Sequence, residues 1–267
     1  MAAIKLAQIE RTLVIASGKG GVGKTTVSVN LALALATEGA RVGLFDADIY
    51  GPNVPLMLGV RRSQSARGLL PIARADSAPY IPPLERYSLK IMSIGLLVGE
   101  ADAVMPDPHD AGRIITQTLR DVLWGQLDYL LVDLPPGTGE PQHSLVRAFE
   151  IDGAVLVTTP QDLSLLDASR SLGMFRQAAI PILGVIENMS YLICPHCGER
   201  VDVFHHSERR WAVHEGDLPL LGQIPMDYAI SRGIDAGHPL VQAAPESADA
   251  AAFRAIARRI AERLRRP

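Results

Sequence analysis

One stretch limits the folding options of this chain more than any other. Gly18 to Thr26 read Gly-Lys-Gly-Gly-Val-Gly-Lys-Thr-Thr, directly after the apolar run Leu13-Val14-Ile15-Ala16. Gly18-x4-Gly23-Lys24-Thr25 satisfies the phosphate-loop pattern, which sits between a strand and a helix. Glycines at 18, 20, 21 and 23 let the chain curl, so that successive backbone N–H groups, that of Val22 among them, face phosphate oxygens. The helix that follows adds its positive end. In this arrangement Lys24 neutralises the outer phosphates, the Thr25 hydroxyl ligates Mg²⁺ and Thr26 donates to the α-phosphate. Lys19 is additional. A second lysine near the first glycine has little to do within its own chain, and suggests a nucleotide shared across a subunit boundary.

The rest of the chain alternates in the way such a loop requires. Apolar runs at 13–17, 41–45, 89–94, 129–133, 154–158, 183–187 and 220–224 read as strands, several of them covered on both faces. Helical patterns fit at 25–38 (closed by Gly39), 112–125, 164–178 and 246–264. The alternation predicts an α/β fold: a doubly wound, mostly parallel sheet with helices on both faces, with ligands bound at the strands' carboxyl ends. No domain-splitting linker is visible, so residues 1–267 are expected to form a single P-loop domain. Residues 61–88, rich in Pro, Ser and Arg, read as an irregular excursion.

Composition narrows the partners. Hydrophobic residues at 48% of 267 are ample for a sizeable core. Aromatics at 5% argue against base stacking, and a net charge of −3 argues against attraction of the whole surface to nucleic acid. Residues 1–12 contain Lys5, Glu10 and Arg11 and no apolar h-region, so no signal peptide is expected. No stretch approaches ~18 uninterrupted apolar residues, so no membrane span is expected. Both cysteines lie in one short motif. A disulfide framework is excluded by count, and a reducing cytoplasm is the expected compartment.

Two carboxylate clusters support nucleotide chemistry. Phe45-Asp46-Ala47-Asp48 closes the second strand, and Leu131-Val132-Asp133-Leu134-Pro135-Pro136-Gly137 closes a later one. Asp133 suits a water-mediated contact to Mg²⁺, Asp48 suits positioning the attacking water, and Asp46 suits holding the waters of the metal. The backbone of Gly137 suits sensing the γ-phosphate. Each aspartate, taken alone, would read as a cap or turn residue.

Cys194 and Cys197 are separated by Pro195 and His196 and followed by Gly198, a turn that points both sulfurs the same way. Two thiolates do not complete a four-ligand site, whereas two chains giving a pair each would. Cluster, zinc and dithiol readings all begin from this motif. The dithiol reading is weakened because no amphipathic helix follows. His205, His206 and His214 read as solvated; His196, inside the motif, could tune or ligate the site, or be an exposed turn residue.

Taken together, these motifs resemble a family. Lys19-Gly20-Gly21-Val22-Gly23-Lys24-Thr25-Thr26 is similar to the deviant phosphate loop of the MinD/ParA/nitrogenase-iron-protein superfamily. Asp46-Ala47-Asp48-Ile49-Tyr50-Gly51-Pro52, Asp133 to Gly139, Glu187-Asn188-Met189-Ser190 and Cys194-Pro195-His196-Cys197-Gly198 resemble its Mrp (ApbC) branch of iron–sulfur cluster carrier ATPases. The resemblance implies ATP, Mg²⁺ and a [4Fe–4S] cluster as cofactors. It implies a homodimer in which Lys19 reaches the partner's nucleotide, and apo iron–sulfur proteins and a cluster donor as further partners. It also implies that Asn188 reads the adenine edge, that the loop bearing Pro225 and Asp227 flanks the base, and that a knuckle is inserted at about 190–203. Met105-Pro106-Asp107-Pro108 stands where the family has a Trp-Arg-Gly-Pro-like segment, and residues 205–210 stand where it has glycines. The rival readings are a positioning ATPase acting on membrane or DNA, and a zinc-stapled regulatory ATPase. The membrane form of the first would use the helix bearing Phe253, Ile256, Ile260 and Leu264 among arginines, which is expected instead to pack on the sheet.

Overall fold

The computed structural model describes residues 3–60, 72–74, 77–97, 106–204 and 218–265, with backbone alone for 72–74, 77–79 and 162–169. The first half of the chain runs β1 (Ile9–Ala16), α1 (Lys24–Thr37), β2 (Val42–Asp46), α2 (Val54–Met57), β3 (Ile72–Arg74), β4 (Ser77–Tyr80), β5 (Leu84–Arg86), β6 (Leu89–Ser93), α3 (Pro108–Asp121) and β7 (Leu127–Asp133). The second half runs α4 (Glu140–Ala148), β8 (Gly153–Thr158), α5 (Asp162–Gln177), β9 (Ile182–Glu187), β10 (Leu192–Ile193), β11 (Arg200–Val201), β12 (Leu220–Gln223), α6 (Tyr228–Asp235), α7 (Leu240–Ala243) and α8 (Ala248–Arg265).

The main sheet has the order β12-β9-β8-β1-β7-β2-β6-β5. Its pairings are parallel except for the last, where β5 lies antiparallel on β6. The expected mostly parallel, doubly wound sheet is therefore present. The central strands are apolar on both faces, and Leu13, Val14, Ile15, Leu44, Phe45, Leu130 and Leu131 are buried. Helices cover such a sheet on both sides because either face left open would expose apolar side chains.

Helix α1 is apolar around most of its circumference, and every residue from Val27 to Leu35 is buried. Sheet lies on one side of it and α8 on another. It stops where Gly39 takes a left-handed φ of 91°. The stripe Phe253, Ile256, Ile260 and Leu264 on α8 is buried against α1 and β12, as expected for a helix packing on the sheet. The fit is close: a Cβ on Gly222 would lie 2.5 Å from the Ile256 side chain. Among the described residues no helix is long and apolar enough to cross a membrane.

Several boundaries differ from the sequence reading. Strand β1 begins at Ile9 rather than 13. Helix α3 begins at Pro108, not 112, because Asp107 caps it: Asp107 Oδ1 accepts from the amides of His109 (2.9 Å) and Asp110 (3.0 Å), with proline at the first helical position. The departure at 105–108 thus contains a helix start; Met105 itself lies outside the described residues. Of the stretch read as irregular, residues 84–86 form the antiparallel edge strand, and 72–74 pair antiparallel with 77–80. Residues 61–71 lie outside the description.

Candidate functional site

The ends of β1, β2, β7 and β9 bring the expected residues to one edge of the sheet. Both Ile15 and Asp46 are in register with Asp133, so the phosphate loop, the Asp46–Asp48 segment and the Asp133–Gly137 segment leave adjacent strands side by side. Gly21 and Gly23 hold left-handed φ values of 84° and 79°. A Cβ on Gly20 or Gly21 would meet nothing within 4 Å, so the loop is open on that face. A Cβ on Gly23 would lie 2.2 Å from Asn188 Nδ2. Asn188 needs that space, because its Nδ2 donates to the Val22 carbonyl at 2.9 Å.

Asp133 organises the head of α1. It is fully buried, with Lys24 Nζ 2.8 Å from Oδ1. Ser28 Oγ donates to the same oxygen at 2.6 Å, and Thr25 Oγ1 donates to Oδ2 at 2.7 Å. Asp46 is equally buried. Its Oδ1 accepts from the Asp48 amide (3.1 Å), and its Oδ2 from Ser93 Oγ (2.9 Å) and the Val54 amide (3.2 Å). Burial, with the Asp133 charge next to it, pushes its carboxyl up to about 7. Asp48 is half-buried; burial raises its carboxyl too, and its Oδ1 accepts from the Gly51 amide at 3.3 Å. Gly137 has a φ of 86° and donates its amide to the Ser17 carbonyl at 3.0 Å, which ties the loop after β7 to the start of the phosphate loop. Gln142 Nε2 holds that loop from beneath, through the carbonyls of Pro135 (3.0 Å) and Pro136 (2.8 Å). Thr26 is half-buried in the first turn of α1. Lys19 is also half-buried, and among the described residues its ammonium has no carboxylate partner.

The donor set fits a magnesium nucleotide. Thr25, Asp46, Asp48 and Asp133 offer hard oxygens, and Lys24 offers a cation. Mg²⁺ keeps several waters and leans on phosphate oxygens, so it needs no cage made only of protein. Among the described residues no group of three His, Cys, Asp or Glu side chains is placed to hold a metal.

Asn188 lies beside the loop, and the chain turns sharply after it because Met189 takes a φ of 52°. The Ser190 amide donates to the Ile224 carbonyl, bringing the 224–227 segment alongside. There Pro225 is buried and Asp227 is exposed, its carboxylate capping α6 by accepting from the Ala229 amide. Beyond Ser190 the two-pair hairpin β10–β11 carries the cysteines at its tip. The Cys194 amide donates to the Glu199 carbonyl (2.8 Å), and the Gly198 amide to the Cys194 carbonyl (2.9 Å). The amides of Cys197 and His196 point at the Cys194 sulfur and hold its thiol below the ordinary range. Cys194 is half-buried and Cys197 exposed. His205, His206 and His214 lie outside the described residues.

Sequence reasoning missed Ser28, Ser93, Gln142 and Gln223, the last of which donates from Nε2 to buried Glu187 Oε1 at 2.8 Å. None belongs to a motif, and each acts by holding another residue. A buried carboxylate demands donors, and that was the available signal: Asp46 and Asp133 had to find hydroxyls or amides somewhere.

Residues 8–261 match the family described as ParA: NUBPL iron-transfer P-loop NTPase. An iron-sulfur cluster carrier protein of Deinococcus radiodurans is 44% identical over 259 residues, covering 96% of this chain and 70% of that protein. A nucleotide-binding protein from Archaeoglobus fulgidus, solved in complex with ADP, is 33% identical with a TM-score of 0.73, covering 92% of each chain. The septum site-determining protein MinD of Pyrococcus horikoshii, solved with Mg-ADP, is 29% identical with a TM-score of 0.65, covering 95% of each. The phosphate loop, the carboxylates behind it and the extent of these matches place the chain in the ParA family of P-loop NTPases, within its NUBPL iron-transfer group.

Proposed function

We propose that this protein is an ATP-dependent iron–sulfur cluster carrier. It binds Mg·ATP, hydrolyses it to ADP and phosphate, and holds a labile [4Fe–4S] cluster across a homodimer for delivery to apoproteins, after loading from a cluster donor. One observation carries the reading: a single sheet edge holds both a complete phosphate loop backed by Asp133 and a hairpin presenting Cys194 and Cys197. We treat residues 1–267 as one domain with that hairpin inserted at about 190–203, working in a reducing compartment that keeps both thiols free.

Within this reading the backbone of Gly18 to Thr26 wraps the phosphates, and Lys24 leaves Asp133 for the β/γ oxygens. Thr25 and Asp133 would hold the magnesium, and Thr26 serves the α-phosphate. The metal supplies charge neutralisation on the phosphates. Asp48 orients the attacking water towards the γ-phosphorus; the bond to the bridging oxygen breaks and ADP leaves. Asp46 already serves the Asp48 and Val54 amides and Ser93, so we assign it to holding the Asp48 loop. An ionised carboxylate accepts about four hydrogen bonds, so one site on Asp46 Oδ1 stays open to a water of the metal. Gly137 responds to the γ-phosphate, Asn188 and the Pro225–Asp227 segment contact the base, and Lys19 completes the partner's site. Burial of the α8 apolar stripe weighs against the membrane-positioning alternative.

Anaerobic reconstitution with iron and sulfide tests the carrier role. About four irons and four sulfides per dimer are expected, lost in Cys194→Ser and Cys197→Ser. Stoichiometric zinc with no iron uptake would overturn it.

A further inference from the structure

The cysteine hairpin is fastened to the nucleotide side of the molecule by a continuous run of contacts. It begins in the phosphate loop, where Asn188 Nδ2 donates to the Val22 carbonyl at 2.9 Å. The left-handed Met189 lets Asn188 face the loop while Ser190 turns back, and Ser190 Oγ donates to Glu187 Oε1. Gln223 Nε2 donates to that same oxygen at 2.8 Å. The other end of the Gln223 amide, Oε1, accepts from Arg200 Nη2 at 3.4 Å. Arg200 lies in β11, shortly after Cys197, and its guanidinium sits 4.0 Å from the centre of the Tyr191 ring. The Tyr191 carbonyl, at the root of β10, accepts from the Met226 amide at 2.7 Å. The first strand is thus held by the 224–227 segment, and the second by Gln223.

Residue types suit the task at each point. Glu187 is buried and needs donors, which Ser190 and Gln223 supply. An amide side chain both donates and accepts, so Gln223 passes a displacement of Glu187 on to Arg200. Arg200 has a planar guanidinium that donates from Nη2 to Gln223 and from Nε to Asp202 (3.1 Å) while lying over the Tyr191 ring. A ladder of two residue pairs is marginal by itself, so the hairpin follows its anchors.

We propose that Arg200 and Gln223 are positioning residues that make the orientation of the Cys194–Cys197 pair depend on whether a nucleotide fills the phosphate loop. This rests on the function assigned above, with nucleotide at residues 18–26 and cargo on the cysteines. A base contacting Asn188 competes with the Val22 carbonyl for its amide and presses on the Met226 segment. Either movement reaches the hairpin, through Glu187 and Gln223 or through Tyr191.

The test uses the full-length, iron-free protein, so that it does not depend on cluster loading. Alkylation of Cys194 and Cys197 by N-ethylmaleimide is timed with and without Mg·ADP, beside direct measurement of Mg·ADP binding and of ATPase rate. In the parent protein Mg·ADP should change the alkylation rate about fivefold or more, the lower end of ordinary coupling between sites. Arg200→Ala and Gln223→Leu should each bring the change below about twofold while leaving Mg·ADP binding and ATPase intact. Arg200→Lys keeps the charge without the fork or the flat face, and should fail to restore the response. Parent thiols indifferent to bound Mg·ADP, or variants that respond like the parent, would overturn the proposal. Thiols that respond in a protein that takes up no iron would leave the coupling standing and remove the carrier reading. A protein that binds no Mg·ADP would overturn both.

Discussion

Gly23→Ala is the most direct probe of the packing between the phosphate loop and Asn188. Two costs follow from the structure. At a φ of 79° an alanine is held in the left-handed region, which costs about 1–2 kcal/mol. Its Cβ would also lie 2.2 Å from Asn188 Nδ2, forcing the amide away from the Val22 carbonyl. Losing a hydrogen bond in a buried setting costs a further ~1 kcal/mol or more. The sum is about 2–3 kcal/mol, or a drop in Tm of about 4–12 °C for a chain of this size. Thermal and urea unfolding without nucleotide would measure it. Gly20→Ala is the control: its Cβ meets nothing within 4 Å, so stability should change by less than about 0.5 kcal/mol. Asn188→Ala combined with Gly23→Ala should be non-additive, with the double variant about 1 kcal/mol more stable than the single effects predict, because the clash has already been removed. A Gly23→Ala protein as stable as the parent, or strict additivity with Asn188→Ala, would refute the reasoning.

Three further outcomes are expected. Lys24→Ala should abolish ATPase activity and, by leaving Asp133 buried without its cation, cost about 3–5 kcal/mol in urea unfolding; adding Asp133→Asn should recover part of that stability but no activity. Asp46 is faced by Asp133 and Lys24, and its raised carboxyl means the folded state binds more protons than the unfolded one between its ordinary range and about 7. Stability should therefore fall as pH rises through that window, by about 2 kcal/mol between about pH 5 and 7 in metal-free buffer, and Asp46→Asn should remove that slope. Mixed dimers of Lys19→Ala and Asp48→Ala chains should regain ATPase activity that neither homodimer has; no recovery would argue against a shared site.

Much of the fold could be read from the chain because its signals are local. Leu13 to Ala16, Leu131 to Asp133 and Val155 to Thr158 are apolar enough to be strands wherever they lie, and the glycines from 18 to 23 permit few alternatives. The edges were harder to read. Residues 84–86 look unremarkable as a strand and become one by pairing with β6. Helix α3 starts four residues early because Asp107 and Pro108 form a cap that apolar periodicity does not reveal. Helices α4, α6 and α7 are short and gain much of their stability from tertiary packing, so propensity alone gave little warning.

The same division runs through the site. The identity of the phosphate loop, the aspartates at strand ends and the paired cysteines were determined by sequence, since backbone freedom and side-chain chemistry are properties of the residues themselves. What those groups touch was decided by the register of parallel strands. That register sets Asp46 beside Asp133, and burial of the two carboxylates together recruits Lys24, Ser28 and Ser93. The tie from Gln223 to the cysteine hairpin is likewise tertiary, because Gln223 bonds buried Glu187 with one end of its amide and Arg200 with the other, and both partners lie far from it in the chain.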